Sequence, residues 1–424
     1  MKDKFIRSSF ILLVGGVITK IFGLFIKIIL ARSIDPVSLG NYMLIFPAFL
    51  LLLTISQLGV PSALTKLIAE EKRNNKNLVF TVLFILLLFD VVIILVIYFI
   101  APILGYNLFH DKNFSKYIIL FSLIIPFTTI SSICRSYFIG KETMLPCTLS
   151  DVGEDIIKLI IIIIGVPIII KNKLDIVVFL ILINIITEII SIFIYIYFIP
   201  KKFTKFAYNN SYSREVLRLG IPSSTGRIIS SLGYFLEPII LTSSLIRNGY
   251  SSFYIKLNYG ILSGYVIPLI LLPSFFTTIL SQALLPSISK DYVSNNYLRI
   301  KSNLKLTCIF SILIGIIASL CFLFIPNVLL KFIYNASHGS AYIRYLALFC
   351  IFKYLEAPFT SCLMAMGKNK DVLISNTLGI IVRTSLIYIL SFFNIGIWNL
   401  IIAISINIVI IFLYQGIKIK SYLN

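Results

Sequence analysis

The chain has 424 residues, of which 58% are hydrophobic and 13% charged, and its mean hydropathy is +1.00. A water-soluble fold of this length cannot bury so much apolar side chain, so lipid is the solvent for most of it. Long uninterrupted apolar runs also exclude a barrel, whose strands alternate between faces, and predict an all-α polytopic membrane protein.

A formal net charge of +20 would point to nucleic acid in a soluble protein. Here the charge follows membrane topology, as shown below, and no nucleic-acid partner is needed. The six cysteines lie mostly within apolar runs without metal-ligand spacing, and the two histidines, His110 and His338, fall singly in loops. No Walker A, GxGxxG or HExxH pattern occurs. Catalytic residues, a metal site and a cofactor are therefore not expected, and the chain is not expected to be an enzyme.

The chain opens MKDKFIR, and the apolar run of residues 10–31 follows. That run is too long for a signal-peptide core and carries Lys20 and Lys27, so it reads as the first membrane span. A span needs about 20 apolar residues. Eleven more then follow, at 42–64, 78–104, 117–139, 151–170, 175–199, 219–246, 258–285, 306–330, 342–366, 372–392 and 396–416. With the N-terminus inside, 21 of the 37 Lys and Arg fall in inside segments, 9 in outside loops and 7 within spans. The excess of basic residues belongs on the cytoplasmic side, which puts both termini there in a multi-pass protein of the cytoplasmic (inner) cell membrane.

The longest inside loop, 200–218, separates an N-terminal six-helix lobe (1–199) from a C-terminal one (219–424). The halves repeat. Gln57, Pro61 and Ser62 match Gln282, Pro286 and Ser287 at an offset of 225, and the same offset places Lys158 of span 5 on Arg383 of span 11. Spans 1 and 7 align through Gly23/Gly233 and Phe25/Phe235, which sets Lys27 against Glu237. Six spans is an even number, so the repeat predicts two parallel lobes related by a pseudo-two-fold axis along the membrane normal, with a cavity between them.

Charges inside a membrane normally face a bundle interior or a wet cavity. The basic set is Lys20, Lys27, Arg135, Lys158, Arg227, Lys353 and Arg383; the acidic set is Asp90, Glu154, Asp155, Glu188, Glu237 and Glu356. Glu154 and Lys158 are four residues apart and share a helix face, where they can pair. Glu237 precedes Pro238, which frees a carbonyl and predicts a kink. Pro268, Pro273, Gly260 and Gly264 add bendable points in span 8. A cavity carrying Lys27, Lys158 and Arg383 suits an anionic, phosphate-bearing substrate. Packed ion pairs that hold the lobes together are the competing reading. Asp90, Glu188 and Glu237 are the candidate carboxylates for coupling to H+ or Na+.

Three segments carry a resemblance: residues 40–71 (GNYMLIFPAFLLLLTISQLGVPSALTKLIAEE), 134–158 (CRSYFIGKETMLPCTLSDVGEDIIK) and 259–292 (YGILSGYVIPLILLPSFFTTILSQALLPSISKDY). They resemble the polysaccharide transporters of the multidrug/oligosaccharidyl-lipid/polysaccharide (MOP) exporter superfamily, and within it the stage V sporulation protein B group. The resemblance implies a MATE-like fold, alternating access, and outward flipping of an undecaprenyl-linked sugar or peptidoglycan precursor, for spore cortex or cell-wall synthesis. It also implies a lipid-linked glycan substrate, membrane lipids, a coupling ion and cell-wall synthesis proteins as partners. The family's basic position in helix 1 falls on Lys27, its arginine before the Tyr-Phe-Gly turn on Arg135, and its helix 5 glutamate and base on Glu154 and Lys158. With Glu237 and Arg383 from the repeat, these make up the substrate-binding set. Two features depart from the lipid II flippases: their two further C-terminal helices, and their arginine in helix 2, where this chain is uncharged until Lys66. The alternatives are an ion-coupled multidrug exporter of the same fold and a non-transporting scaffold for wall synthesis.

Overall fold

The computed structural model describes residues 2–70, 75–108, 111–199 and 208–423, the side chains of 2–13, 107 and 108 excepted. His110, the inside-counted Lys72 and Arg73, and residues 200–207 of the predicted inter-lobe loop lie outside the described residues. Every regular element described is helical.

The helices run in chain order as α1 (Lys2–Ser33), α2 (Pro36–Gln57), α3 (Val60–Ala69), α4 (Asn75–Ile103), α5 (Lys112–Ser122), α6 (Ile125–Gly140), α7 (Leu145–Lys171), α8 (Ile176–Phe198) and α9 (Asn210–Arg247). They continue as α10 (Ser252–Ile261), α11 (Ile267–Leu271), α12 (Ser274–Val293), α13 (Tyr297–Phe324), α14 (Pro326–Tyr334), α15 (Ser340–Ala347), α16 (Cys350–Ala365), α17 (Asn369–Leu390) and α18 (Trp398–Leu423). Ten helical runs are long and apolar enough to cross a membrane, and the pair α15–α16, bent by 57°, makes an eleventh. The fifth expected span (151–170), which is α7, is not among them. Asp151, Glu154, Asp155 and Lys158 crowd its first half, so its identity as a span rests on length and position rather than apolarity.

Several spans are broken where backbone chemistry demands it. Span 2 divides into α2 and α3 at Leu58 and Gly59, both with positive φ (47° and 69°), and Pro61 opens the helix that follows. Span 8 divides twice. A π-helical turn over Leu262–Val266 precedes Pro268, and a further turn at residues 272–273 ends α11 at Pro273. A missing proline N–H and a widened turn both loosen the helical ladder. The sequence repeat does not carry this feature: Pro286, the partner of Pro61, sits inside an unbroken α12. Nor does Pro238 interrupt α9, which runs without a break from residue 210 to residue 247.

The chain forms two compact units: Met1–Ile34 with Leu44–Phe235, and Asp35–Met43 with Leu236–Asn424. The first four residues of the second unit's half of α9 therefore include both Glu237 and Pro238. In unit 1, buried Leu64, Leu67 and Ile68 of α3 pack with Leu78, Val82 and Leu86 of α4, Ile133 of α6 and Val216 of α9. In unit 2, Ile288, Ile300, Cys362, Leu363 and Ile419 form a corresponding core. Residues 35–43 join unit 2 through backbone contact. A Cβ on Gly40 would strike the carbonyl of Lys256, and one on Gly260 the carbonyl of Pro36. Gly260 therefore serves close packing as well as any bending.

Candidate functional site

The middle of unit 1 is a polar network on α6, α7 and α8. Helix α8 is apolar except for one face, where Asn184, Thr187, Glu188 and Ser191 recur at helical spacing. Helix α7 presents Ser150, Glu154 and Lys158 on a face of its own, at steps of four residues. The two faces meet. Lys158 Nζ donates to Asn184 Oδ1 (2.6 Å), Thr187 Oγ1 donates to Glu154 Oε1 (3.3 Å), and the Ser150 and Ser191 hydroxyls lie 2.5 Å apart. From α6, Ser131 Oγ donates to Glu188 Oε2 (2.6 Å), and Arg135 pairs with Asp151.

Two readings of the charges change here. Glu154 and Lys158 are neighbours, but Lys158 bonds to Asn184 and Glu154 to Thr187 rather than to each other. The network is also not basic: Arg135 and Lys158 stand against Asp151, Glu154, Asp155 and Glu188. Two cations to four carboxylates makes unit 1 acidic at its centre. An anion can be held there only at the two bases, or together with a proton or cation that offsets the carboxylates.

Lys27 lies on α1, beyond the point where Gly15 lets that helix press onto Thr148 of α7. Its side chain is exposed and has no hydrogen bond or ion pair among the described residues. Asp90 of α4 differs from all the others. It is fully buried with the buried hydroxyl of Thr129 facing it, and no cation pairs with it among the described residues.

Unit 2 brings the other two candidates together. Arg383, the fifteenth residue of α17, donates from Nη2 to Glu237 Oε1 of α9 at 2.7 Å. Both side chains are largely removed from solvent, at 16% and 7% exposure. Lys158 is likewise the fourteenth residue of α7. The repeat thus places one base mid-way along the corresponding helix of each unit, and each base is bound to a polar partner within its own unit. Lys353 pairs locally with Glu356, three residues on (2.7 Å). Arg227 is an exposed residue of α9.

The profile of the family described as "Polysaccharide biosynthesis protein" matches residues 5–291, and that of the family described as "MatE" matches 262–389. The chain belongs to the polysaccharide biosynthesis protein family. Among its relatives, Stage V sporulation protein B of Bacillus subtilis (strain 168) is 25% identical, covering 99% of this chain and 86% of that protein. Lipid II flippase MurJ of the same organism is 20% identical, covering 90% and 76% respectively. Among solved structures, an inward-facing multidrug resistance MATE family transporter of the MOP superfamily has a TM-score of 0.74 at 16% identity, covering 95% of each chain. Lipid II flippase MurJ in an inward closed conformation has a TM-score of 0.75 at 20% identity, covering 96% of this chain and 87% of that one.

The fold is accordingly that of the MOP superfamily, and the chain is a multi-pass membrane protein of this polysaccharide family. Lys27, Arg135, Glu154, Lys158 and Glu237 all fall in the segment matched to the family, and Arg383 falls in the MatE segment. The sequence reading passed over Asn184, Thr187, Ser131 and Asp151, which fix the orientation of the charged residues. The spacing of Asn184, Thr187, Glu188 and Ser191 in an otherwise apolar α8 was the signal for the face they share.

Proposed function

We propose that the chain flips an anionic undecaprenyl-linked sugar or peptidoglycan precursor outward across the cytoplasmic membrane, with both termini in the cytoplasm. Spore cortex or wall synthesis is the process it would serve. The observation that carries this reading is the pair of mid-helix bases, Lys158 and Arg383, at corresponding places in the two units of a family named for polysaccharide biosynthesis. Lys27 and Arg135 add further positive charge for the phosphates, Asn184 and Glu237 hold Lys158 and Arg383 in place, and Glu154 lies one turn from Lys158 on the same helix face. Ammonium and guanidinium groups suit phosphate, the second through a fork of parallel donors. The carboxylate excess in unit 1 supports coupling to H+ or Na+, because a co-bound cation would offset the acids while the anion is held. Cell-wall synthesis proteins would supply and consume the lipid-linked sugar.

The test is the identity of the undecaprenyl-linked intermediate that builds up on the cytoplasmic leaflet when the gene is removed. Accumulation of one such species, reversed by the wild-type gene, supports the reading. An unchanged lipid-linked pool contradicts it.

The same acidic excess favours a second reading, exchange of an organic cation for protons or sodium. Resistance to cationic drugs in cells expressing the chain, with an unchanged lipid-linked pool on deletion, would select it.

A further inference from the structure

Unit 2 contains a cavity of about 120 Å³ bounded by helices α11, α15, α16, α17 and α18. Most of its wall is apolar, including Ile270, Leu346 and Ile404. Three polar side chains break that wall: Lys353, Arg383 and Asn407. Their charges are arranged asymmetrically. Both bases line the cavity, whereas their partners Glu356 and Glu237 are not among the residues that do.

The donors are also incompletely used. Arg383 gives Nη2 to Glu237, but its Nε is buried without a hydrogen bond among the described residues. Lys353 spends one N–H on Glu356 and has two more. Asn407 has no hydrogen bond among the described residues, and its Nδ2 lies against the bare backbone of Gly379. Two bases and an amide with unused donors, facing an otherwise apolar space, favour an acceptor in this cavity.

We propose that this cavity is a binding site for one small anionic group, held by the Arg383 guanidinium, Lys353 Nζ and the Asn407 amide. The chemical class is a halide or a phosphate monoester. Its volume is about four times the ~30 Å³ share of one liquid water, enough for a chloride with hydration or for one phosphate. The apolar remainder of the wall offers nothing to the hydroxyls of a sugar, so the glycan part of a lipid-linked substrate is excluded. The anion completes a row of alternating charge, Glu237, Arg383, anion, Lys353, Glu356. It would thereby fix the relative position of α16 and α17, and with α9 already tied to Arg383, three spans of unit 2 would share one ion. The proposal goes beyond flipping and is measured on protein at equilibrium, so it stands or falls independently of what is transported.

The experiment uses the full chain purified in detergent. Chloride binding is read from the 35Cl NMR line width, with inorganic phosphate and dihexanoyl phosphatidate as competitors and their own binding read by 31P NMR. Two variants alter the cavity without stranding a carboxylate. Asn407→Leu removes a donor, and Ile404→Phe fills the space. Saturable chloride broadening that falls at least fivefold in both variants supports a free-ion site. Saturable binding of dihexanoyl phosphatidate alone, lost in the same variants, supports the site with a lipid phosphate as its source. Absence of saturable binding by all three probes, or binding unchanged in both folded variants, overturns the proposal.

Discussion

Arg383 Nη2 sits 2.7 Å from Glu237 Oε1, joining α17 to α9 by a buried ion pair close to the point where the second unit's part of α9 begins. The pair is a constraint as well as a proposed substrate contact. Any anion that recruits Arg383 through Nη2 must compete with Glu237.

Breaking that pair from one side leaves an uncompensated charge in a nearly solvent-free place. Removing one partner of such a pair costs about 3–5 kcal/mol, whereas replacing both with apolar groups of similar volume is often neutral. Arg383→Met and Glu237→Leu are each expected to lower the thermal unfolding midpoint in detergent, and the double variant to recover most of the loss. Equal and additive losses would show that the two residues do not depend on each other.

Gly40 and Gly260 occupy places where a methyl group meets a carbonyl oxygen. Overpacking of this kind costs about 1–3 kcal/mol. Gly40→Ala and Gly260→Ala are expected to destabilise by that order. Gly23→Ala in α1, with open space around its Cβ position, is expected to be neutral or stabilising by up to about 1 kcal/mol through helix propensity. Chemical or thermal unfolding of the three variants checks the ranking.

Asp90 is fully buried with the Thr129 hydroxyl facing it and no cation paired with it among the described residues, which is a poor use of a carboxylate if its role is structural. Burial of a charge without a counter-charge is destabilising, so Asp90→Leu is expected to keep or raise the unfolding midpoint. If Asp90 couples transport to a cation, the same variant keeps its fold while transport loses its dependence on the proton or sodium gradient. A large drop in stability would instead assign Asp90 a structural partner.

Asn184 is expected to position Lys158 through their 2.6 Å hydrogen bond. Asn184→Leu should therefore weaken transport by raising the substrate concentration needed for half-maximal rate, while Asn184→Asp, which can still accept from the ammonium, restores most of it. Initial rates across substrate concentrations distinguish this from a loss of folded protein.

The membrane-spanning plan was legible because apolar length is a one-dimensional property. Every apolar run is helical, although spans 2, 4, 8 and 10 are each divided into more than one helix, and the charged helix α7 was found by its place between two long runs. The charged residues were legible as positions but not as partners. Lys158 and Glu154 share a face, yet the competition for Lys158 was decided by Asn184 on another helix, which spacing within α7 cannot reveal. Pro61 and Pro286 match in sequence, but only the first adjoins a helix break, because Leu58 and Gly59 adopt positive φ and α12 has no counterpart to that turn. The acidic balance of unit 1 depends on Asp151 and Glu188 joining the network, and thus on packing among α6, α7 and α8.

Under the proposed function, a mid-helix base in each unit holds the anion being moved. The most direct measurement is flipping of a fluorescent undecaprenyl-linked sugar in vesicles containing Lys158→Ala/Arg383→Ala/Glu237→Ala, in which the stranded carboxylate is also removed. Folded triple variant with flipping reduced to the level of empty vesicles is the predicted result. Wild-type flipping rates in that folded variant would contradict the claim.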